Sequence, residues 1–146
     1  MAVTISIYNH TLKLMMNKEL VYTTLKVQLL DNTAAFDATH TTLAQVNNAG
    51  AYQVSGNGWD AGGELIANAA VTTVNTNGVM LDGDDIIVNA VGGSIGPAYK
   101  AVVYDDTHAS DAPLFFIDFG QVEEAGETTD FKIVWGANGI LRGSIL

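Results

Sequence analysis

The sequence predicts an all-β fold: an antiparallel β-sandwich, with a jelly roll as one form of it, and a short N-terminal helix. Three observations carry this. Two apolar runs rich in β-branched and aromatic residues, 98–106 and 113–120, flank the polar segment 107–112. That is the pattern of two antiparallel strands joined by a loop. Segment 24–30 alternates, with Leu25, Val27 and Leu29 on one side and Thr24, Lys26 and Gln28 on the other, the period of a strand. Elsewhere Gly, Asn and Asp punctuate the chain every ~8–12 residues, which gives about eight or nine short strands.

The 98–120 pair is apolar at nearly every position, so both of its faces are expected to be covered, at the centre of the core. The 146 residues make one domain, 1–146, with an N-terminal arm over about residues 1–20. A domain of this size buries about 68–70% of its unfolded surface, enough to fold without a disulfide or metal. There is no cysteine, which removes disulfides, thiol nucleophiles and thiolate metal sites. A net charge of −10 repels phosphate backbones and argues against nucleic acid as a partner. No window approaches the ~20 apolar residues of a membrane span, and no basic start with a long apolar block marks a secretory signal. No membrane partner is expected.

In chain order, Val3, Ile5 and Ile7 alternate with Thr4, Ser6 and Tyr8, an extended start. Leu12, Met16 and Leu20 are four apart with Met15 beside them, which predicts a helix over 9–17 with one apolar stripe. That stripe either packs on the domain or docks the arm on a neighbouring subunit. The clean alternation of 24–30 predicts one face against solvent or a partner. Segment 31–51 reads as a long surface excursion with one helical turn capped by Thr41 or Thr42.

Segment 52–65 carries Gly56, Gly58, Gly62 and Gly63 around Trp59. A phosphate cradle fails, because no Lys-Ser/Thr follows. A sugar platform is a second reading, with the Trp59 ring beside Asn57 and Asp60 and with Tyr52 near. The third is a structural loop in which Trp59 plugs a core edge. Strands follow over 65–74, 78–81 and from Ile86. Asp82, Asp84 and Asp85 suit either Ca²⁺ or a turn, but their spacing does not match an EF-hand loop. Residues 121–130 read as a solvated acidic hairpin loop. Residues 129–135 form a strand with Phe131, Ile133 and Trp135 on one face. Asn138-Gly139 is a turn signal, and a last strand begins at Ile140.

His10, His40 and His108 stand apart in sequence, and Ser55, Ser94 and Ser110 lie in no nucleophile elbow. No catalytic residue, cofactor or metal ligand is assigned, and an enzyme is not expected. The candidate interaction residues are Val3, Ile5 and Ile7 at the start, Trp59 in the glycine-rich loop, and Ile145 and Leu146 at the apolar end, which need cover if they are not to stay exposed.

Six segments occur in a telling order: Thr24-Leu25-Lys26-Val27-Gln28-Leu29-Leu30, residues 52–65, Leu81-Asp82-Gly83-Asp84-Asp85-Ile86, and residues 98–105, 114–120 and 131–141. Together they resemble a widespread family of small structural proteins of tailed bacteriophages. The shared features are a Lys-Val-Leu-like strand, a Gly-Tyr/Trp-x-Ala-Gly-Gly loop, an Asp-rich turn before a strand, an Ala-Val-Val/Ile-Tyr strand and a Phe-x-Ile-x-Trp strand with a Gly-Ile-Leu ending. The sequence departs at Gly92-Gly93-Ser94-Ile95-Gly96-Pro97, which is richer in glycine. The resemblance implies a virion component made in the host cytoplasm, first of all a head-decoration (cement) protein. It further implies a homotrimer that binds the major capsid protein. A tail or fibre component, or a carbohydrate-binding receptor-recognition module, is the alternative.

Overall fold

A computed structural model describes residues 2–144. Its elements, in order, are β1 (Thr4–Ile7), α1 (Asn9–Met16), a 3-10 turn (Tyr22–Thr24), β2 (Leu25–Leu30), α2 (Leu43–Val46), β3 (Gln53–Val54), β4 (Glu64–Leu65), β5 (Ala70–Val74), β6 (Gly78–Asp82), β7 (Ile86–Asn89), β8 (Ile95–Asp105), β9 (Ala112–Ala125), β10 (Asp130–Ile133) and β11 (Leu141–Ser144). The fold is all-β and sandwich-like, with one helix of two turns near the N-terminus. Six strands form the main sheet in the order β1-β9-β8-β2-β3, with β4 also on β2. Two smaller antiparallel sheets, β10-β7 and β11-β6-β5, complete it.

The β8–β9 hairpin is the centre, and its alternation builds two cores. Ala101, Val103, Phe115 and Ile117 join Leu25, Val27 and Leu29 of β2 in the main core. The small sheets close that core with Leu81, Ile86, Phe131 and Ile133. Val102, Tyr104 and Phe116 point the other way, into a second core with Tyr8, Leu30, Ala34, Leu43 and Val46. Residues 31–52 are therefore the lid of the second face rather than an exposed excursion. Within that lid Thr42 caps α2 in a capping box with Gln45, which satisfies otherwise orphaned helix amides.

This lid corrects the reading of β2. Its polar face is covered at Gln28, which is buried and whose Oε1 accepts from Asn47 Nδ2 at 2.8 Å, whereas Lys26 on the same face stays partly exposed and pairs with Asp106 at 2.9 Å. The stripe expected along α1 is also corrected. Leu12 and Met16 are exposed, whereas Thr11 and Leu14 are buried. Thr11 takes the inward position because its hydroxyl finds acceptors there, the carbonyls of Pro113 and Leu114 at 3.2 and 2.9 Å. A buried hydroxyl is tolerated once it is hydrogen-bonded.

Residues 4–20 pack on their own domain. β1 pairs antiparallel with β9, Thr4 opposite Asp118 through Ile7 opposite Phe115, and Tyr8, Leu14 and Leu20 are buried. Other boundaries shift. The strand expected over 65–74 is two strands, split where Ile66 and Ala69 turn into the core and Asn68 takes a φ of 56°. β9 runs on to Ala125, which is buried, and the expected hairpin is not one: residues 126–129 lead from β9 in the main sheet to β10, which pairs with β7 in a separate sheet. β8 begins at Ile95, inside the glycine-rich stretch.

Asp105 ties the hairpin to the chain before β2. It is fully buried. Its carboxylate accepts from the Val21 amide, the Thr24 hydroxyl, and both the amide and hydroxyl of Thr107, at 2.8–3.0 Å. Burial pushes its pKa up, but the hydrogen bonds from Val21, Thr107 and Thr24 outweigh that and hold it below the ordinary carboxylate value. A charge this deep persists because several donors replace its water.

Candidate functional site

β1 is one edge of the main sheet, four residues long, and its sequence carries none of the charges or prolines that commonly guard an edge. Residues 2–7, Ala-Val-Thr-Ile-Ser-Ile, contain no Lys, Pro or charge, and the pairing to β9 runs without a register shift. Natural edges are usually guarded by such devices, because their unpaired backbone groups template another strand.

Alternation gives this edge two unlike sides. Ile7 packs on the main core, while Val3 and Ile5, on the same side, stay 59% and 52% exposed. They open onto an apolar groove of about 290 Å³ shared with Phe119, Ile133, Val134 and Trp135. Sequence reasoning placed Ile133 and Trp135 on one strand face but did not connect them to β1. The connection spans more than a hundred residues and leaves no local signal.

Trp135 is fixed by the aspartate turn. Its backbone amide donates to Asp85 Oδ1 at 2.9 Å, and its indole N–H donates to the Asp84 carbonyl at 3.1 Å. Asp84 Oδ2 accepts from Asn68 Nδ2 at 2.7 Å. The turn thus positions one wall of the groove, a role that the sequence reading split between a turn and Ca²⁺. Among the described residues, no group of three or more His, Cys, Asp or Glu is placed to hold a metal ion.

Trp59 is not at this surface. It is 1% exposed, with its ring edge-on to Phe131 at 5.4 Å and its indole N–H buried with no hydrogen-bond partner among the described residues. Tyr52 is half-buried against the second core. The Trp59 ring offers no free face to a sugar, which corrects Trp59 as an interaction residue: the glycine-rich loop carries it inward to close the main core. Ile145 and Leu146 lie outside the described residues.

His10, Glu19 and the His108–Ser110 turn come together in space. Ser110 Oγ lies 2.8 Å from His108 Nδ1, and His108 Nε2 lies 3.9 Å from Glu19. The His10 ring stands edge-on to His108 at 6.4 Å. Burial first, then the Lys13 ammonium and His108, hold His10 below the ordinary imidazole value, against the pull of Glu19. The geometry is that of a turn. His108 Nδ1 accepts the Ser110 amide at 3.3 Å, and Ser110 Oγ faces the Thr41 carbonyl at 3.4 Å. Acyl transfer needs donors near the nucleophile, where the oxyanion forms, and here an acceptor stands there.

No helix among the described residues is long and apolar enough to cross a membrane. Comparison of the chain with protein-family models, with curated proteins and with solved structures found no match.

Proposed function

We propose that this chain is a structural protein of a tailed-phage virion, a decoration protein that binds the major capsid protein on the assembled head and associates with copies of itself as a homotrimer. The observation that supports docking is the uncharged β1 edge with exposed Val3 and Ile5 above the Phe119–Ile133–Trp135 groove. An apolar groove beside unpaired strand backbone suits a strand from a neighbouring subunit, with backbone hydrogen bonds giving affinity and the groove taking alternate side chains. Repetition over a shell then multiplies weak contacts through avidity. The net charge of −10 is consistent with a protein surface, not nucleic acid, as the partner.

The test is mass measurement of the purified protein and quantitation of its binding to empty shells and to isolated tails. The native protein is expected as a trimer that binds shells. Val3→Lys with Ile5→Lys is expected to weaken shell binding about tenfold or more, with the circular-dichroism spectrum unchanged. Equal binding by the variant removes the β1 edge from the interface. Binding to tails and not to shells overturns the head-decoration reading.

A further inference from the structure

The other side of β1 forms a second concavity of different chemistry. It measures about 290 Å³ and is lined by Thr4, Ser6, Phe36, Lys100, Phe116 and Asp118, with Ala35 at its wall. The sheet register builds it. Thr4 pairs with Asp118 and Asp118 with Lys100, so β1, β9 and β8 set three polar side chains in one row. Ser6 pairs with Phe116 in the next. The lid covers the Leu30–Val102–Phe116 part of this face, and its Ala35 and Phe36 border the open row.

The polar groups in this cleft are underused. The Thr4 and Ser6 hydroxyls make no hydrogen bond among the described residues. Lys100 is held in place by the carbonyls of Asn32 and Ala34, yet it forms no ion pair among the described residues. Among the described residues Asp118 accepts only the local Gly120 amide, on Oδ1 at 2.9 Å. Phe36 rests against Tyr8 and Phe116, with centroids at 5.0 and 6.0 Å, and keeps 37% of its surface exposed.

We propose that this cleft binds a neutral hexose. A sugar ring has a C–H face that lies on an aromatic ring, and hydroxyls that both donate and accept. Asp118 takes donated hydrogen bonds, Lys100 supplies one, and Thr4 and Ser6 do either. The other ligand chemistries fit less well. A phosphate meets Asp118 and a chain of net charge −10. An organic cation meets Lys100. An apolar molecule strips water from two charges and returns nothing. The site is independent of the head-decoration reading, since it lies on the opposite side of β1 from the groove and its test uses purified protein.

The test is a ¹⁵N shift titration of the full chain with glucose, galactose and N-acetylglucosamine, and with serine and inorganic phosphate as controls. At least one sugar is expected to bind with a dissociation constant on the order of 1 mM, the scale for a dozen heavy atoms. Shifts should centre on residues 4–6, 35–36, 100 and 116–118. Asp118→Asn and Thr4→Val should each weaken binding about five- to tenfold, and Val3→Lys, on the far side of β1, should leave it unchanged. The methyl glycoside of the bound sugar separates two sources: equal binding points to the end of a glycan, loss of binding to a free sugar. No saturable shift up to about 50 mM sugar, well past that scale, overturns the proposal. So do shifts centred elsewhere, insensitivity to both variants, or tighter binding of serine or phosphate.

Discussion

Asn47 Nδ2 donates to Gln28 Oε1 at 2.8 Å, and both side chains are buried, at 5% and 2% exposure. This bond joins the lid to the main sheet, and Asn47 Oδ1 also accepts the Gly50 amide at 2.9 Å. Asn47→Ala leaves Gln28 without its donor and is expected to cost about 1–3 kcal/mol. Gln28→Leu in the same background should recover part of that, because a buried unpaired amide is replaced by a hydrocarbon. Denaturant titration of the single and double variants measures the coupling, and strictly additive losses would show that the bond carries no coupling energy.

Phe116 and Phe115 are neighbours in the chain that serve opposite cores. Phe116 is 3% exposed in the second core. Phe116→Ala is expected to cost about 3–5 kcal/mol, and to loosen residues 31–52 ahead of the main core. Hydrogen exchange read residue by residue checks the second part. A loss below about 1 kcal/mol, the range of an ordinary surface change, means that the lid is not packed as described.

The glycine loop gives a ranked series. A Cβ on Gly63 would stand 2.2 Å from the Val27 carbonyl oxygen, at a φ of +97°. A Cβ on Gly58 would meet the Asn89 carbonyl oxygen at 2.7 Å. At Gly62 the nearest atom is the Tyr104 hydroxyl, at 3.7 Å, so only the backbone conformation resists. Gly63→Ala should therefore destabilise most, Gly58→Ala next, and Gly62→Ala least, at about 1–3 kcal/mol for strain alone. Melting temperatures of the three variants test the order, and Gly62→Ala as the worst would contradict it.

Asp105 predicts an acid limb. Its folded pKa lies below the ordinary value, which is near 3.9 in an unfolded chain. The unfolded state therefore binds its proton first, so the contribution is fully present above about pH 5 and is lost as pH falls through the folded value. Asp105→Asn should lower stability most at neutral pH, and the gap to the native protein should narrow below about pH 4. A gap that stays constant from neutral to acid pH rules out the charge of Asp105 as its source.

The sequence by itself determined the fold class, the central hairpin and most strands, because period-two alternation is a local consequence of which residues must be buried. It also placed the helix near residues 9–17 and a turn capped by Thr41 or Thr42, between which the structure chose Thr42. It misjudged which side of that helix is inward, since Thr11 belongs inside only because the carbonyls of Pro113 and Leu114 are there to receive it. The polar side of β2 was legible, but not that Asn47 covers it. Trp59 was visible as an aromatic among glycines, and only the packing against Phe131 decided that it is buried. Both surfaces at β1 were decided by the tertiary structure. They exist because antiparallel pairing brings residues 4–7 beside 115–118, and because Phe36 of the lid walls one surface and Trp135, just after β10, the other. Long-range register of this kind has no signature in any short window of sequence, since each strand's pattern states which face is apolar and not what lies across from it.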